Sequence, residues 1–393
     1  MAIQDHDMEV GNKSAQTAPA QDAHVERIEP ESPSVPPPFS PRTRRVAGEL
    51  LSPLGILFIS VLIMLTIVSF SLGLGVNTAK SSSDISSGSS TTNMNMGGSS
   101  SSDSTIPQAT EAQGGQLAHY TLDKDGAKHF NFTAKEVMWT PVTGGQPQKA
   151  YTINGMVPAP AIRVTAGDHI RVTLHNTMSE GTAIHWHGLV VPETQDGVVG
   201  LGMTKPIQQN ESFTYDFTVH DQDVGTHWYH SHYNDNSQVP GGLYGAFIVD
   251  PRPGSQEAKQ AIHADLEYTE IVSEMGPYYV INGKSFPDTQ PIKLKHGQTV
   301  HIRLIGAGET MHPMHLHGQP FQIIAEDGHM LSAPIEKDTI QLAPGETYDL
   351  TIQGTGAPGS IYPFHCHILA HLMNPGQTES QMGGLITLVE YDK

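Results

Sequence analysis

The pattern of polar and apolar positions divides the chain into four stretches. Residues 1–46 are polar and rich in proline, which predicts a disordered tail. Residues 50–76 form an uncharged apolar run that exceeds the ~20 residues a transmembrane helix needs. A Ser-rich stretch, 80–116, has the composition of a flexible linker. From residue 117 onward, short alternating runs separated by Gly, Pro, Asn and Asp predict antiparallel strands.

The charges that flank the apolar run predict its orientation. Arg42, Arg44 and Arg45 precede it, and Lys80 follows it. We therefore expect a single-pass protein of the cell membrane, with a cytoplasmic N-terminus and the rest of the chain on the extracytoplasmic side. A cleaved export signal is the alternative, because Arg44-Arg45 resembles a twin-arginine signal. Against it, the run is longer than the roughly 7–15 apolar residues of such signals.

An internal repeat organises the part beyond the linker. Tyr-Thr-Ile-Asn-Gly (151–155) matches Tyr-Val-Ile-Asn-Gly (279–283), and the strand pattern of 161–172 matches that of 291–302. The repeat predicts two domains of roughly 130 residues each, 117–255 and 256–393. Short alternating strands in both copies predict an all-β fold of two β-sandwiches or Greek-key barrels.

Composition excludes several classes of function. The 393 residues carry a formal net charge of −19, which argues against a nucleic acid partner, since phosphate binding needs clustered Lys and Arg. A single cysteine excludes an intrachain disulfide. The chemistry of the chain is therefore sought among its 22 histidines.

Four short clusters hold ten of these histidines and the cysteine. They are His185-Trp186-His187-Gly188, His230-Ser231-His232, the stretch His312 to Gly318 with His315 and His317, and His365-Cys366-His367 followed by His371. A His-x-His pair on a strand presents both rings on one face, because side chains alternate with period two. Imidazole suits zinc, copper and iron, and thiolate suits soft metals such as copper.

The cysteine cluster is the most specific of the four. On a strand, Cys366 faces one side while His365 and His367 face the other, so one dipeptide step joins two metal sites. On the cysteine side, His312 and His371 complete the trigonal His2Cys pattern of blue copper, which expects a weak axial Met. Eight imidazoles are left for the other side, too many for one ion and suited to three.

Together, the motifs His-Trp-His-Gly, Trp-Tyr-His-Ser-His, His-Pro-x-His-Leu-His-Gly and His-Cys-His-x3-His resemble those of the multicopper oxidases, the laccase family. The resemblance covers about residues 117–393 and implies two cupredoxin-like domains with four copper ions per chain. It assigns a type 1 copper to His312, Cys366 and His371, and a type 2 copper to His185 and His315. The type 3 pair takes six ligands: His187, His230, His232, His317, His365 and His367.

The familiar laccases have three cupredoxin domains, whereas this chain has room for two. It therefore resembles the two-domain, small-laccase-like branch of the family. That branch implies a homotrimer in which each trinuclear cluster lies between the first domain of one subunit and the second domain of its neighbour. Ser231 occupies the place of a type 1 cysteine in the first repeat, so we expect no blue copper there.

The resemblance also suggests two further residues. Asp196 matches a family aspartate near the type 2 copper and is expected to relay protons or orient a ligand; a role as a turn residue before Gly197 is the alternative. The family's axial position falls on Gly376, but the stretch from Asn374 to Gln381 looks inserted. Met382 resumes the family's Met-x-Gly pattern and is taken as the axial ligand, with Met373 second.

The implied activity is one-electron oxidation of a phenol, Cu(I) or Mn(II) at the type 1 copper, coupled through Cys366, His365 and His367 to reduction of O2 to water. Two alternatives stay open. A copper nitrite reductase is also a trimer of two-domain chains, but it keeps its blue copper in the first domain. A non-enzymatic, membrane-tethered copper-binding protein has no need of three coupled copper ions.

Overall fold

A computed structural model describes residues 116–393 of the chain, apart from residues 204 and 379. In this part, nine strands belong to the first domain: β1 (Tyr120–Leu122), β2 (Lys128–Trp139), β3 (Gln148–Ile153), β4 (Ile162–Thr165), β5 (His169–Asn176), β6 (Ile184–His187), β7 (Ser212–Thr218), β8 (Gly225–Ser231) and β9 (Tyr244–Asp250). Eleven belong to the second: β10 (Leu266–Met275), β11 (Tyr278–Ile281), β12 (Ile292–Leu294), β13 (Thr299–Gly306), β14 (His312–Leu316), β15 (Phe321–Glu326), β16 (His329–Lys337), β17 (Thr339–Leu342), β18 (Thr347–Gln353), β19 (Ile361–Cys366) and β20 (Ile386–Tyr391).

The described helical segments are all short. They comprise two α-helices, α1 (Asp235–Gln238) and α2 (Gln256–Gln260), and the 3-10 turns Glu193–Gln195, Asp221–Asp223 and Leu369–Leu372. None of the helices in the described part is long and apolar enough to cross a membrane. The predicted tail (1–46), the predicted transmembrane helix (50–76) and all of the predicted linker except residue 116 lie outside the described residues.

Each domain is a sandwich of two sheets, which confirms the predicted all-β class. In the first domain, the sheet β1-β2-β5-β7, with β3 beside β2, faces the sheet β4-β9-β8-β6. In the second, β11-β10-β13-β18-β15-β16 faces β12-β20-β19-β14-β17. Alternate side chains of strands such as β2, β5 and β14 fill the interior between the sheets, as the period of two requires. The repeat is visible in the topology of the two domains. The second copy differs by the additional strands β15, β16 and β17.

The prediction of purely antiparallel sheets is wrong in one respect. Each sheet contains one parallel pair: β2 with β5, β4 with β9, β10 with β13, and β12 with β20. Alternation along a strand records which face is buried and carries no information about the direction of the neighbouring strand. In a Greek-key sandwich the chain crosses between sheets, and that crossing brings strands of the same direction together.

The repeated Asn-Gly pairs form the same turn in both domains. Asn154 and Asn282 have φ of 58° and 49°, and the glycine after each is also at positive φ. The side chain of Asn154 accepts a hydrogen bond from the Thr133 amide, and that of Asn282 from the Ile271 amide. Asparagine and glycine tolerate these angles best, which explains the conserved dipeptide between the two copies.

A third apolar cluster joins the two domains. Trp139 and Trp228 of the first domain pack with Ile271 and Ile305 of the second. The contact places β8, which carries the second histidine cluster, beside the second domain.

Candidate metal centres

One candidate metal centre lies inside the second domain, where β14 pairs with β19. The register sets Met314 opposite Cys366, and both side chains are fully buried. Sγ of Cys366 lies 3.5 Å from Nδ1 of His371 and 3.9 Å from Nδ1 of His312. The two Nδ1 atoms are 3.2 Å apart. This buried His2Cys set unites a thiolate donor with two imidazoles, and that chemistry fits copper.

Two residues that the sequence did not single out complete the surroundings of this set. Oε1 of Glu274 lies 3.2 Å from Nε2 of His312, and Thr310 also donates a hydrogen bond to this carboxylate. Burial alone would raise the pKa of Glu274, but the hydrogen bonds from His312 and Thr310 bring it down to about 2. The ring of Tyr279 stacks on that of His371, with centroids 3.9 Å apart. Both residues lie on the β10–β11 hairpin.

A second group of donors, the first-domain histidine set, comprises His185, His187, His230 and His232. Pairing of β6 with β8 sets His185 opposite His230. One ligand nitrogen from each of His185, His187 and His230 lies within 4.8 Å of the others. The ring of His232 is 5.4 Å from that of His185. The structure thus brings together all four histidines that the two sequence clusters predict.

The second-domain histidine set is the counterpart at the ends of β14 and β19: His315 and His365 lie on these strands, and His317 and His367 directly follow them. His315 lies opposite His365, as the repeat requires. Nε2 of His317 is 2.9 Å from Nε2 of His365, and the rings of His315 and His367 are 5.7 Å apart. These rings face away from Cys366, so the predicted division of one strand between two sites is present.

Backbone carbonyl groups hold four of these rings in one orientation. Each accepts a hydrogen bond from Nδ1, which leaves Nε2 free as a metal ligand. The pairs are His185 with Asp196 at 3.0 Å, His315 with Asp338 at 2.9 Å, His230 with Ser231 at 2.8 Å, and His365 with Cys366 at 2.7 Å. The same arrangement recurs in both domains: His230 on β8 and His365 on β19 each donate to the carbonyl of the next residue.

Burial keeps the donors in the form that binds metal, with one exception. It lowers the pKa of His187 to about 4 and that of His230 to about 3, and it also lowers the pKa of His365. These imidazoles are neutral at pH 7, as metal ligation requires. Burial raises the pKa of the Cys366 thiol, so copper must displace its proton on binding.

Asp196 contacts the predicted type 2 ligand. Besides its carbonyl, its Oδ1 lies 3.2 Å from Nδ1 of His185. The following Gly197 has φ of 80°, and a Cβ at that position would lie 1.8 Å from the carbonyl oxygen of Ile184. Asp196 is therefore both part of a tight turn and a partner of His185.

Neither predicted axial methionine is fully buried, because Met373 is half-buried and Met382 is exposed. Met382 is 61% exposed and lines a surface cavity together with Met373, His317 and His365. Cys366 is fully buried. An axial role for Met382 or Met373 stays a prediction.

In the first domain, a polar triad stands where the second domain has its His2Cys set. By the repeat, Thr182 corresponds to His312 and Ser231 to Cys366. Both hydroxyls donate to Oε1 of the fully buried Gln238, at 2.9 and 2.6 Å. Three neutral oxygen groups that satisfy one another have no affinity for copper comparable to that of a thiolate.

The two histidine sets of one chain do not meet. Ring contacts join histidines within the first-domain set and within the second-domain set, and none joins the two sets in the described part of the chain. Each set alone offers four imidazoles. A site that needs eight must therefore draw on two chains or on a rearranged one.

Comparison with known proteins agrees with the donor sets. Family profiles described as multicopper oxidase match residues 134–254 and 255–375. Copper resistance protein A of Escherichia coli is 26% identical over 321 residues, which cover 66% of this chain and 50% of that protein. The chain spans about half the length of the curated relatives it matches.

Two solved structures share more of their length with the chain. The blue copper oxidase from Nitrosomonas europaea is 33% identical, with a TM-score of 0.60 over 67% of this chain and 85% of that one. The multicopper oxidase mgLAC is 34% identical, with a TM-score of 0.59 over 67% and 86%. With both domains matched by the family profiles and every copper motif present, the chain belongs to the multicopper oxidase family.

Proposed function

We propose that the protein is a laccase-like oxidase that takes single electrons from a reducing substrate at the His2Cys set and reduces O2 to water at a three-copper cluster. The position of Cys366 carries the proposal. Its Sγ belongs to the buried set, while the adjacent His365 and His367 belong to the second-domain histidine set. A few covalent bonds thus link the two kinds of site, which is what coupled electron transfer requires.

Four copper ions per chain are assigned: one type 1, one type 2 and a type 3 pair. His312, Cys366 and His371 hold the type 1 ion, and His185 and His315 hold the type 2 ion. Six histidines hold the type 3 pair: His187, His230, His232, His317, His365 and His367. Copper bound at these sites supplies the one-electron redox steps and the affinity for O2.

The chain's own side chains orient the ligands and receive the substrate. Asp196 orients the ring of His185 and is assigned the role of proton relay to the copper cluster beside it. The Nε2 edge of His312 and the carboxylate of Glu274 form the point where a reductant delivers its electron. A phenolic hydroxyl, Cu(I) or Mn(II) each interacts favourably with that carboxylate.

A homotrimer is inferred from the separation of the two histidine sets. In a ring of three chains, each first-domain set meets the second-domain set of the next subunit. Head-to-tail contacts of this kind close into a ring of three when each subunit is related to the next by a threefold rotation.

A mixing experiment tests the shared site. His187→Ala and His365→Ala each remove one half of every cluster, so each variant alone should lack O2 uptake. Coexpressed chains should regain about a quarter of the wild-type rate, because each interface draws its two halves at random. No recovery in mixed oligomers would mean that the cluster lies within one chain.

The membrane location is also a proposal. The apolar run 50–76 is taken as a single-pass anchor, with the N-terminus in the cytoplasm and both domains on the extracytoplasmic side. The protein then oxidises a small reductant at the outer face of the membrane. Recovery in the membrane fraction after an alkaline wash tests this; release into the soluble fraction would favour a cleaved signal.

The two alternatives fit the donors less well. A nitrite reductase of this architecture needs its blue copper in the first domain, where Thr182, Ser231 and Gln238 bond to one another instead. A copper-storage protein has no use for a buried thiolate bonded through the chain to a second site.

The deciding experiment uses the purified full chain loaded with copper. Four copper ions per chain, an intense thiolate-to-copper absorption band and O2 uptake with a phenolic dye are expected. Nitrite consumption without O2 uptake would favour the reductase, and neither activity would favour copper storage.

A further inference from the structure

A cavity of about 630 Å³ opens beside the second-domain histidine set. Four side chains with metal-donor atoms line it: Met373, Met382, His317 and His365. The rest of the lining is largely apolar, with Leu369, Leu372 and Ile386 among it. Two thioethers thus share one cavity with two imidazoles of the proposed cluster.

A backbone hydrogen bond brings the two methionines together. The amide of Gly383 donates to the carbonyl of Leu372 at 3.0 Å. Met382 and Met373 are the sequence neighbours of these two residues and therefore lie near each other in space. Asn374 is buried at the base of the loop, where its Oδ1 accepts hydrogen bonds from Ser285 and Gly384. The hydrogen bonds of Asn374 and Gly383 therefore position these methionines.

Both methionines are accessible from solvent. Met382 is 61% exposed and Met373 is half-buried. The exposed His317 has its Nε2 2.9 Å from Nε2 of the half-buried His365. Thioethers are soft, neutral ligands that prefer Cu(I) to harder divalent ions. A Cu(I) ion held by these thioethers has the nitrogen donors of His317 and His365 in the same cavity.

We propose that Met373 and Met382 form a capture site for Cu(I) that loads the second-domain half of the copper cluster. The inference rests on the proposed function, because it assigns a supply route to that cluster. Bonds from copper to the two Sδ atoms break as bonds to Nε2 of His317 and His365 form. The ion stays Cu(I) throughout, so the transfer needs neither oxidant nor reductant.

Copper uptake by the copper-free full chain tests the proposal. Cu(I) is supplied anaerobically as its acetonitrile complex, and protein-bound copper is counted at intervals after desalting. The variant Met373→Leu/Met382→Leu should load roughly tenfold more slowly than wild type, comparable to the loss when partners of metal ligands are removed. Met330→Leu is the matched control, because Met330 is 48% exposed and lines a different cleft.

Cu(II) provides the second arm of the test. Thioethers contribute little to Cu(II) binding, so the double variant should load Cu(II) at close to the wild-type rate. An unchanged rate with Cu(I), or equal slowing with both ions, would overturn the capture site. Bound copper is counted without any assay of turnover, so a wild-type protein that loads copper but consumes no O2 would refute the proposed function instead.

Discussion

The carboxylate of Glu274 lies 3.2 Å from Nε2 of His312, the ring nitrogen that does not face the cysteine thiol. Glu274 also lines a cavity of about 450 Å³ between the two domains, together with Lys149 and Glu309. A molecule bound in this cavity would contact the carboxylate of Glu274, which in turn contacts the ring edge of His312. The pair therefore connects solvent with the buried His2Cys set.

Replacement of Glu274 by Gln should weaken oxidation of cationic reductants more than that of neutral phenols. At about 4 Å, the lost interaction between unit charges lies between about 1 kcal/mol in bulk water and about 4 kcal/mol near a protein surface. We expect kcat/KM for Mn(II) or Cu(I) to fall about tenfold. The same change should raise the reduction potential of copper bound at the His2Cys set, because a nearby anion stabilises the oxidised ion.

Glu309→Gln is the control for this prediction. It removes a charge from the same cavity, but its contact with Glu274 is made by the backbone amide. Steady-state kinetics on both reductant classes and a redox titration of the absorption band give the result. Equal effects of the two variants on kcat/KM would reduce Glu274 to a general contribution to surface charge.

Gln238→Ala should destabilise the first domain without removing copper. The amide accepts hydrogen bonds from the buried hydroxyls of Thr182 and Ser231, and truncation leaves both without this partner. The expected cost is about 2–4 kcal/mol in the free energy of unfolding. Urea unfolding measures it, with the exposed Gln222→Ala as control, for which we expect less than about 0.5 kcal/mol. A loss below 1 kcal/mol would show that the triad contributes little.

The sandwich fold and the histidine pairs follow from local sequence. A period of two decides both which residues are buried and which rings share a face, so the position of Cys366 opposite to His365 and His367 was predictable. The repeat added the domain count and placed Ser231 where a cysteine would stand. These inferences needed no knowledge of how strands pair.

Contacts between distant segments were not predictable in the same way. Glu274 and Tyr279 reach the His2Cys set from the β10–β11 hairpin, and no spacing relates that hairpin to His312 or His371. Gln238 lies seven residues beyond Ser231 and carries no motif. Such residues are selected by the packing of one element on another, which the alternation of side chains does not record.

Gly197→Ala should disturb the proposed type 2 site at His185. A Cβ there would lie 1.8 Å from the carbonyl oxygen of Ile184, so the turn must move away from His185, to which Asp196 is bonded. Gly200→Ala is a matched control: its φ of 89° is just as unfavourable for alanine, yet no atom lies within 4 Å of the added Cβ.

Strain from the positive φ should cost each variant about 1 kcal/mol. Only Gly197→Ala should also lose type 2 copper, seen as a fall in bound copper and in the type 2 signal of the electron paramagnetic resonance spectrum. If both variants keep full copper content, the turn is not needed to hold His185 in place.

A buried charge network between the domains should make stability depend on pH. His301 donates to Asp349 at 2.8 Å, and Arg303 bonds both Asp349 and Thr226 of the first domain. Burial would lower the pKa of His301, but its hydrogen bonds to Asp349 and Glu267 raise it. Burial would raise the pKa of Asp349, but the hydrogen bond from His301 and the charge of Arg303 lower it.

The sign of each contribution follows from these directions. The depressed pKa of Asp349 gives stability that is present above its unfolded pKa of about 3.9 and is lost in acid. The raised pKa of His301 gives stability that is complete below its unfolded pKa of about 6.5 and is lost as pH rises through the folded pKa. The network should therefore stabilise the fold most between about pH 4 and 6.5.

Urea unfolding of the copper-free protein across pH 4–9 measures how the free energy of unfolding depends on pH. This range covers the unfolded pKa values of about 3.9 and 6.5. His301→Gln should lose the decline on the alkaline side. Asp349→Asn should cost about 3 kcal/mol near pH 6, because it removes the buried carboxylate shared by His301 and Arg303 and leaves them only Glu267. Asp221→Asn, which removes an exposed partner of Arg252, should cost no more than about 1 kcal/mol. A His301→Gln protein that declines above pH 6.5 as steeply as wild type would assign the titration to another group.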